Sequence, residues 1–448
     1  MNSRRFFVMS VTVLAVYANS LWGAFQFDDY NVIVDNPAVH SFAAWSREAF
    51  NGIRPVLKLS YVLNRTISSG PAGFHIFNLA VHLCNVFLVY LIFSSLSCND
   101  REEFFSTPFI AALLFGLHPV QTEAVTYICG RSVSMSALFC LVSLLLYLEA
   151  AFGRGIVKWK ALQLHAASLL FYLLAVMTKE TAIILPAVLV LLEISRREDT
   201  CRTVLKRLTL YWLVSVAMLL FMIAHAGHGR LLEYSFDIRG IGDNLLTQIN
   251  GTAYLLSRLF VLNGMNIDPD LPVVREFSAA LGAKALLLSA LFIYGLMIFR
   301  RRPLTGFGII WFFLWLLPTN SVIPRLDVAN DRQLYISSAG LFLALSNELR
   351  PLLAHRDVDG KNRKRLLVAV MVLLGLFTGV RNNDYRSEIA LWEDAVKKSP
   401  LKARPHNNLG YAYFLEGRQK EAEKEYLEAL RLDPDYKKAR NNLEGLRL

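Results

Sequence analysis

The sequence predicts an all-α membrane protein with a short soluble helical tail. Hydrophobic residues make up 54% of the chain and charged residues only 19%, which is too little charge for a soluble domain of this length. Apolar runs long enough to cross a bilayer recur almost to the end of the chain. After about Val380 the composition changes sharply and becomes polar and charged.

Run length and charge interruption predict about eleven spans. The predicted spans are residues 6–25, 74–97, 107–120, 132–152, 162–178, 180–195, 208–226, 278–299, 304–318, 333–349 and 366–380. The stretch 246–263 is ambiguous, because it contains Asn250, Gly251 and Arg258. If it were a span, the basic loop 300–302 would face outward, against the positive-inside rule. We therefore expect 227–276 to be an external segment whose helix lies on or dips into the membrane.

The topology follows from four short basic loops, which should remain on the cytoplasmic side. These loops are residues 154–160, 196–207, 300–302 and 355–365. An odd number of spans then places the N-terminus inside and the C-terminus outside. The external segments become 26–73, 118–131, 179–180, 227–276 and 319–332. The net charge of +11 is thus attributed to topology, and no nucleic-acid partner is predicted.

Two domains are predicted from this pattern. Residues 1–380 form the polytopic membrane domain, and residues 381–448 form a helical domain outside the cytoplasm. The five cysteines show no metal-ligand spacing. No cofactor is predicted, and a carboxylate pair is only weak support for a divalent cation.

Adjacent aspartates, Asp28 and Asp29, follow the first predicted span. Two carboxylates side by side at a membrane surface repel each other and are partly desolvated, so they need a role or a partner. A carboxylate can remove a proton from an attacking hydroxyl group. We therefore predict that one of the two is a general base, and the sequence leaves open which one.

Further ionisable residues gather on the same predicted face. Three are candidate phosphate ligands, namely Arg131, Lys179 and Arg332. The supporting set consists of Arg54, His75, His118, Glu123, Glu180, Asp331 and Tyr335. Each of these residues taken alone is compatible with ordinary packing or an interfacial break. Together they concentrate charge at one membrane face, which is costly without a function.

The first external segment shows two helical patterns. Ser41 is placed to cap a helix that runs through Phe50. Residues 55–67 place apolar side chains at helical spacing, with Lys58 and Arg65 on another face. This pattern is typical of a helix that lies in the membrane interface or packs against the spans.

The tail carries the spacing of a tetratricopeptide repeat from Ala403 onward. The positions that define it are Leu409, Gly410, Tyr413, Ala422, Tyr426, Ala429 and Pro434. Trp392, Ala395 and Pro400 match the second helix of a preceding repeat, and residues 437–446 resemble a solvating final helix. So few repeats do not make a robust solenoid alone. The tail is therefore either a docking element for the membrane domain or a grip on a peptide or partner.

Six motifs precede the repeat: FDDYNVIVDNP, RPVLKLSYVLN, GFHIFNLAVHL, ALLFGLHPVQTEAVTYICGR, TKETAIILP and NDRQLYISSAG. Their order and spacing, over nearly the whole chain, resemble the transmembrane and tetratricopeptide-repeat O-mannosyltransferases. The chain looks like a short bacterial relative of that family, which belongs to the GT-C glycosyltransferase superfamily.

This resemblance implies a multi-span helical GT-C-type fold with an acidic motif in the first external loop. It implies a polyprenyl-phosphate sugar donor, and an acceptor, protein or peptide, that approaches from the non-cytoplasmic side of a bacterial inner membrane. It also implies that Asp28 or Asp29 corresponds to the family's catalytic acid. The tail departs from the family, since the eukaryotic relatives carry many repeats. Sugar and acceptor therefore stay open.

Three other functions remain compatible with the sequence. A lipid-linked glycan ligase or polymerase would use the same kind of site. A transporter would also carry ionisable residues at membrane depth, although usually in the middle of spans. A non-enzymatic scaffold would use the repeat surface to recruit partners and would not need the aspartate pair.

Overall fold

The computed structural model describes residues 3–49, 51–97, 103–196, 200–354 and 358–446. Phe50, Cys98 and parts of the predicted basic loops 196–207 and 355–365 lie outside the described residues. Within these ranges the chain is helical, and no strand is present. The prediction of an all-α membrane protein is therefore confirmed.

Twenty α-helices occur in the described ranges. They are α1 (Ser3–Tyr17), α2 (Phe42–Glu48), α3 (Pro55–Ile67), α4 (Pro71–Leu96), α5 (Thr107–Leu117), α6 (Thr122–Val125), α7 (Arg131–Phe152), α8 (Lys158–Thr178), α9 (Leu185–Arg196), α10 (Cys201–Ala224), α11 (Ala226–Ile238), α12 (Ile241–Arg258), α13 (Ala279–Ile298), α14 (Pro303–Leu316), α15 (Leu334–Ala354), α16 (Val358–Asp384), α17 (Glu388–Lys398), α18 (Ala403–Leu415), α19 (Gln419–Leu432) and α20 (Lys437–Leu446). Short 3₁₀ or π turns connect several of them, at Ala18–Trp22, Tyr30–Val34, Pro37–Val39, Pro119–Gln121, Ile128–Gly130, Glu180–Ile184 and Asp331–Gln333.

A helix lies at each of the eleven predicted spans. Seven helical segments are long and apolar enough to cross a membrane. They are Ser3–Trp22, Pro71–Leu96, Ile128–Phe152, Lys158–Thr178, Cys201–Ala224, Ala279–Ile298 and Gly360–Asp384. Two further apolar helices, α5 and α14, are shorter. The count of about eleven spans and the inside–outside topology stay predictions.

The first loop, residues 26–73, folds as two helices joined to short turns. The Ser41 hydroxyl accepts a hydrogen bond from the Ala44 amide at 3.1 Å and so caps α2. This helix ends at Glu48, two residues short of the predicted end. The amphipathic segment beginning at Pro55 is helical as expected, and it contacts α4 and α8.

The helices of the bundle approach closely where small residues meet. Helix α5 is buried along its whole length, and it packs between α4 and α15. A Cβ added at Gly308 in α14 would overlap the backbone carbonyl oxygen of Gly340 in α15. Only glycine allows these two backbones to lie so close, which is a common device in membrane helix pairs.

A second buried cluster joins the first loop to the tail. Its members come from the first loop, the α6–α7 connection, the segment before α13 and the tail helices, and they include Ile33, Leu57, Tyr61, Tyr127, Ile267, Tyr385, Leu391, Trp392, Leu409 and Tyr426. In the tail, a Cβ at Gly410 would meet the Tyr426 ring, so α18 and α19 cross at close range. The tail is therefore packed against the membrane bundle through a shared apolar core.

The Gly308–Gly340 contact gives a test of the bundle. Gly308→Ala should lower the unfolding temperature, because the added methyl forces α14 and α15 apart and costs at least about 1 kcal/mol. Gly379→Ala in α16 is the matched control, since its new Cβ would lie 4.0 Å from the nearest described neighbour, the Val16 carbonyl oxygen. Thermal unfolding in detergent measures both. Equal unfolding temperatures for the two variants would contradict the close packing.

Candidate active site

The loop that carries the aspartate pair begins with a backbone outlier. Phe27 has a φ of 48°, and Arg54 is the other non-glycine residue with positive φ in the described ranges, at 56°. Side chains other than glycine adopt this conformation at a cost, so the surrounding structure must hold it in place. Such outliers are concentrated at functional sites.

Asp29 is buried and fully engaged with the backbone. Its side chain is 1% exposed. One carboxylate oxygen accepts the Cys129 amide at 2.8 Å, and the other accepts the Gln26 amide at 3.0 Å. Burial raises the pKa of Asp29 to about 7, although both hydrogen bonds favour the ionised form. Asp29 thus ties the loop to the start of α7.

Asp28 differs from Asp29 in its exposure and in the hydrogen bonding of its carboxylate. Its side chain is half-buried, and its carboxylate makes no hydrogen bond to any of the described residues. Its backbone amide donates to the Tyr127 hydroxyl at 3.1 Å, which fixes the chain at this point. The Asp28 charge lies close enough to Arg332 to raise the pKa of that guanidinium.

Arg332 is held by a carboxylate from α6. Its backbone amide donates to one oxygen of Glu123 at 3.0 Å, and its guanidinium Nε lies 3.5 Å from the other. The Glu123 side chain is only 2% exposed. Burial alone would lower the pKa of Arg332, but the charges of Glu123 and Asp28 raise it. The guanidinium is therefore a permanent positive charge beside Asp28.

Lys179 stands among three arginines. Burial, followed by the charges of those arginines, holds the pKa of Lys179 well below its usual range. The arginines are Arg54, Arg332 and Arg325. Lys179 and Arg332 also line the same small cavity. We call Arg54, Lys179, Arg325 and Arg332 the four-cation cluster.

Within the described ranges, two members of the four-cation cluster have no carboxylate in direct contact. Arg54 is neutralised by a two-point ion pair with Glu180, whose closest nitrogen–oxygen distance is 2.9 Å. No salt bridge is present for Lys179 or Arg325 among the residues described. Burial and the Arg332 charge lower the pKa of Arg325 to about 10. A half-buried group of like charges is a site for an anion, and phosphate suits guanidinium donors.

Arg325 was missed by the sequence analysis. It lies in the predicted external segment 319–332, a few residues before Arg332. That position was its only signal in the sequence. Arginine in an external loop is common, so the sequence alone does not separate it from a solvated surface residue.

Arg131 lies apart from the cluster and is enclosed by neutral partners. Its guanidinium donates to the side-chain oxygens of Asn78 at 2.7 Å and Asn64 at 2.8 Å. It also donates to the Phe74 carbonyl at 3.1 Å and stacks over the Phe77 ring at 4.2 Å. The side chain is 0% exposed. With its donors used and no path to solvent, Arg131 holds α4, α3 and α7 together.

Three other residues of the predicted supporting set, His118, Tyr335 and His75, make contacts inside the protein. His118 accepts the Val120 amide at 3.1 Å and so starts the next turn. The Tyr335 hydroxyl lies 2.8 Å from Nδ1 of His82 in the bundle interior. His75 lies 3.1 Å from the Gly23 carbonyl oxygen through Nε2. These contacts position helices around the site, and none of the three rings belongs to the four-cation cluster.

Asp331 anchors the segment before α13. One of its oxygens accepts the Asn266 amide at 3.1 Å, and the side chain is 2% exposed. Burial, and then the charge of Glu123, raises the pKa of Asp331 to about 7. In the described ranges no group of three or more His, Cys, Asp or Glu side chains is arranged to hold a metal ion.

The fold and this face define a multi-span helical membrane protein with a repeat-bearing tail. Residues 403–436 match the tetratricopeptide repeat family, which confirms the predicted repeat. The match covers α18 and α19, the two helices that cross at Gly410.

Curated relatives named protein O-mannosyl-transferase align with nearly the whole chain. A relative from Caenorhabditis elegans is 25% identical, with 94% of this chain and 61% of the relative aligned. TMTC4 from Mus musculus is 28% identical over 94% of this chain and 65% of its own length. TMTC3 from Mus musculus is 25% identical over 94% of this chain and 50% of its own length. The resemblance to the transmembrane and tetratricopeptide-repeat O-mannosyltransferases is therefore confirmed. The chain spans between half and two thirds of the length of these relatives, and no solved structure matches it.

The raised pKa of Asp331 predicts how stability depends on pH. A buried carboxyl with a raised pKa binds more protons when folded, so its stabilising effect is lost as pH rises from about 4 to about 7. Asp331→Asn is neutral at every pH and nearly isosteric. Its unfolding temperature relative to wild type should therefore rise from pH 5 to pH 8, as the ionised Asp331 comes to cost wild type about 1 kcal/mol or more.

Thermal unfolding in detergent across pH 5–8 measures this difference. Asp433→Asn, at an exposed position in the tail, is the control and should follow wild type throughout. A constant offset between Asp331→Asn and wild type across the range would contradict the assigned pKa.

Proposed function

We propose that the protein is a glycosyltransferase that moves a sugar, with mannose as first candidate, from a polyprenyl-phosphate donor to a hydroxyl group of a protein acceptor. The observation that carries this proposal is the unbonded Asp28 carboxylate beside Arg332 at the edge of the four-cation cluster. A base for a hydroxyl and a binding site for a phosphate are the two parts that this transfer needs. Relatives named protein O-mannosyl-transferase support the choice of sugar and acceptor.

The proposed reaction is a single displacement at the sugar carbon attached to the phosphate. The acceptor hydroxyl oxygen forms a bond to that carbon while its proton passes to Asp28. The bond from the carbon to the phosphate oxygen breaks, and polyprenyl phosphate leaves with the electron pair. Attack from the side opposite the phosphate inverts the configuration. The hydroxyl needs a base because its own pKa lies far above neutral.

We assign the base role to Asp28 and a positioning role to Asp29. The Asp28 carboxylate is half-buried and free of hydrogen bonds to the described residues, so an acceptor can reach it. Both oxygens of Asp29 already accept backbone amides. Asp29 thus keeps the loop in the shape that presents Asp28.

The four-cation cluster is proposed to bind the donor phosphate and to stabilise the charge that grows on it as the sugar leaves. Arg332 is the member of the cluster whose pKa the Asp28 charge raises, and Glu123 fixes its orientation. The pKa of Lys179 is lowered by burial and then by the neighbouring arginines, and an anion in this position offsets that repulsion. The lysine would therefore hold its proton more firmly with donor bound, which strengthens the phosphate contact.

A cavity beside the cluster suits the lipid part of the donor. Its volume is about 170 Å³, and Arg54 and Glu180 stand at its polar end. Its walls are apolar and include Met177, Met218 and Phe221 from α8 and α10. The flexible methionine side chains adapt to an irregular hydrocarbon. The space is small for a whole ligand, so we assign it to the part of the isoprenoid next to the phosphate.

We propose that the reaction takes place at the non-cytoplasmic face of a bacterial inner membrane. The basic loops predicted to lie inside support this orientation through the positive-inside rule. In this orientation Asp28, the four-cation cluster and the repeat tail share one side of the membrane. The proposed mechanism needs no metal ion or organic cofactor.

The base assignment predicts the effect of removing one carboxylate. Asp28→Asn should lower kcat at least about a hundredfold with donor KM little changed, because the amide keeps the shape but does not take the proton. The assay follows mannose transfer from polyprenyl-phosphate mannose to a Ser/Thr peptide by purified protein in detergent. Asp35→Asn, at an exposed position of the same loop, should retain wild-type turnover.

Two results would reject this assignment. One is near-normal kcat for Asp28→Asn. The other is a wild-type protein that folds in detergent but turns over no polyprenyl-phosphate sugar that is offered.

The cluster assignment predicts a role for Arg325 in donor affinity. Arg325→Ala should raise the donor KM about tenfold, since it removes one phosphate contact of about 1.4 kcal/mol. Binding of polyprenyl phosphate, measured separately, should weaken by a similar factor. Arg275→Ala, at an exposed position in the segment before α13, is the charge-matched control. Equal donor affinity for the two variants would exclude Arg325 from the phosphate site.

A further inference from the structure

The first helix of the tail, α17, is bonded directly to the loop that carries the aspartates. The Phe27 amide donates to a carboxylate oxygen of Glu388 at 3.0 Å. The Phe27 ring meets the Trp392 ring edge-on, with 5.0 Å between ring centroids. Just before α17, the backbone carbonyls of Tyr385 and Arg386 add two more contacts. The first accepts a hydrogen bond from the Gln26 side-chain amide, and the second accepts one from the Ala24 backbone amide.

These contacts converge on Phe27, one of the two residues of the first loop with positive φ. Phe27 has a φ of 48° and precedes Asp28 directly. A phenylalanine free of restraint would relax to negative φ. Such a rotation at residue 27 would redirect the chain that enters Asp28 and move its carboxylate away from Arg332.

The Glu388 side chain is more buried than is usual for a glutamate at the start of a helix. It lies in the first turn of α17, which is normally a solvated position for an acidic residue. Here the carboxyl is half-buried, and burial raises its pKa. One of its oxygens accepts a hydrogen bond from the Phe27 amide, 361 positions away in the sequence. The helix dipole alone does not require this arrangement.

Helix α17 is itself fixed to the membrane bundle. Asp394 forms an ion pair with Arg381 of α16 at 2.6 Å. The Lys398 ammonium donates to the Met265 carbonyl oxygen at 2.7 Å, and Asn266 donates to the Ser399 hydroxyl at 2.8 Å. Since the middle and the C-terminal end of α17 are held, the helix provides a rigid support for Phe27.

We propose that Glu388 and Trp392 are positioning residues for the transfer reaction. They hold Phe27 in its left-handed conformation and so aim the Asp28 carboxylate toward the acceptor and Arg332. The tail thereby acts in the chemical step, in addition to any binding of partners. This inference rests on the proposed function, because it assumes that Asp28 is the base.

The expected signature is a loss of kcat without a loss of donor binding. A small displacement of a catalytic group can slow the reaction by one to two orders of magnitude. Glu388→Ala should lower kcat about tenfold or more and leave the donor KM within about twofold, because the four-cation cluster is untouched. Glu388→Gln should recover most of the activity, since its amide oxygen accepts the same Phe27 N–H.

The matched control is Glu393→Ala on the same helix. Glu393 accepts a hydrogen bond from the Tyr413 hydroxyl at 2.9 Å, within the tail. Its removal should leave kcat near wild type. Glu388→Asp withdraws the carboxylate by one methylene without removing it. It serves as the second variant if the alanine form does not fold, and it should also lower kcat.

Hydrogen exchange read by mass spectrometry provides a measurement that does not depend on turnover. Peptides that cover residues 23–35 should exchange faster in Glu388→Ala or Glu388→Asp than in wild type, and Glu393→Ala should show no change there. The inference is overturned if Glu388→Asp keeps wild-type kcat, or if the Glu388 and Glu393 variants lose activity equally. In both cases the proposed function survives, provided that Asp28→Asn is inactive. Full activity of Asp28→Asn would instead reject the proposed function.

Discussion

The arrangement of the candidate site depends on four cationic side chains that lie close together at one face of the bundle. Four cations lie within electrostatic reach of one another. Glu180 pairs with Arg54 and Glu123 with Arg332, whereas Lys179 and Arg325 have no salt bridge among the described residues. In a half-buried setting like charges repel strongly, and burial followed by this repulsion lowers the pKa of Lys179. The fold must therefore hold the cluster by other means, and it does so through the helices that flank its members.

Those helices come from distant parts of the chain. Arg54 precedes α3, Lys179 follows α8, and Arg332 lies in the turn before α15. The buried Arg131 secures this side of the bundle without joining the cluster, because it bonds to Asn64 and Asn78 on neighbouring helices. One arginine is therefore a structural cross-link, whereas those of the cluster are the ones proposed to bind the donor phosphate. Arg131 and the cluster arginines have the same side chain, so it is the neighbouring groups that give them different roles.

The sequence predicted the features that depend on residues close together in the chain. Apolar runs predicted helices at all eleven positions, and the spacing of Gly410, Ala422 and Ala429 predicted the repeat. The capping role of Ser41 was also predicted. Site membership was less predictable, because it depends on contacts between remote segments. Arg131 and Arg325 look alike in the sequence, and only the neighbours that folding brings to each of them separate their roles.

The sequence did not predict the contacts between the first loop and the tail, because these segments are remote in the chain. The predicted boundary near residue 380 follows a real change of composition. The second apolar core nevertheless contains both Ile33 of the first loop and Leu409 of the tail. A change in composition reports solvent exposure along the chain. It says nothing about which surfaces pack together after folding.

The bond between Phe27 and Glu388 has a consequence for the order of biosynthesis. The two residues are 361 positions apart, and a chain emerges from the ribosome with its N-terminal part first. The loop with Asp28 therefore waits, without its support, until every span has been inserted and α17 has been synthesised. The aspartate loop reaches its final shape only when the chain is nearly complete, so an unfinished chain with all its spans in place still lacks the geometry of the mature site.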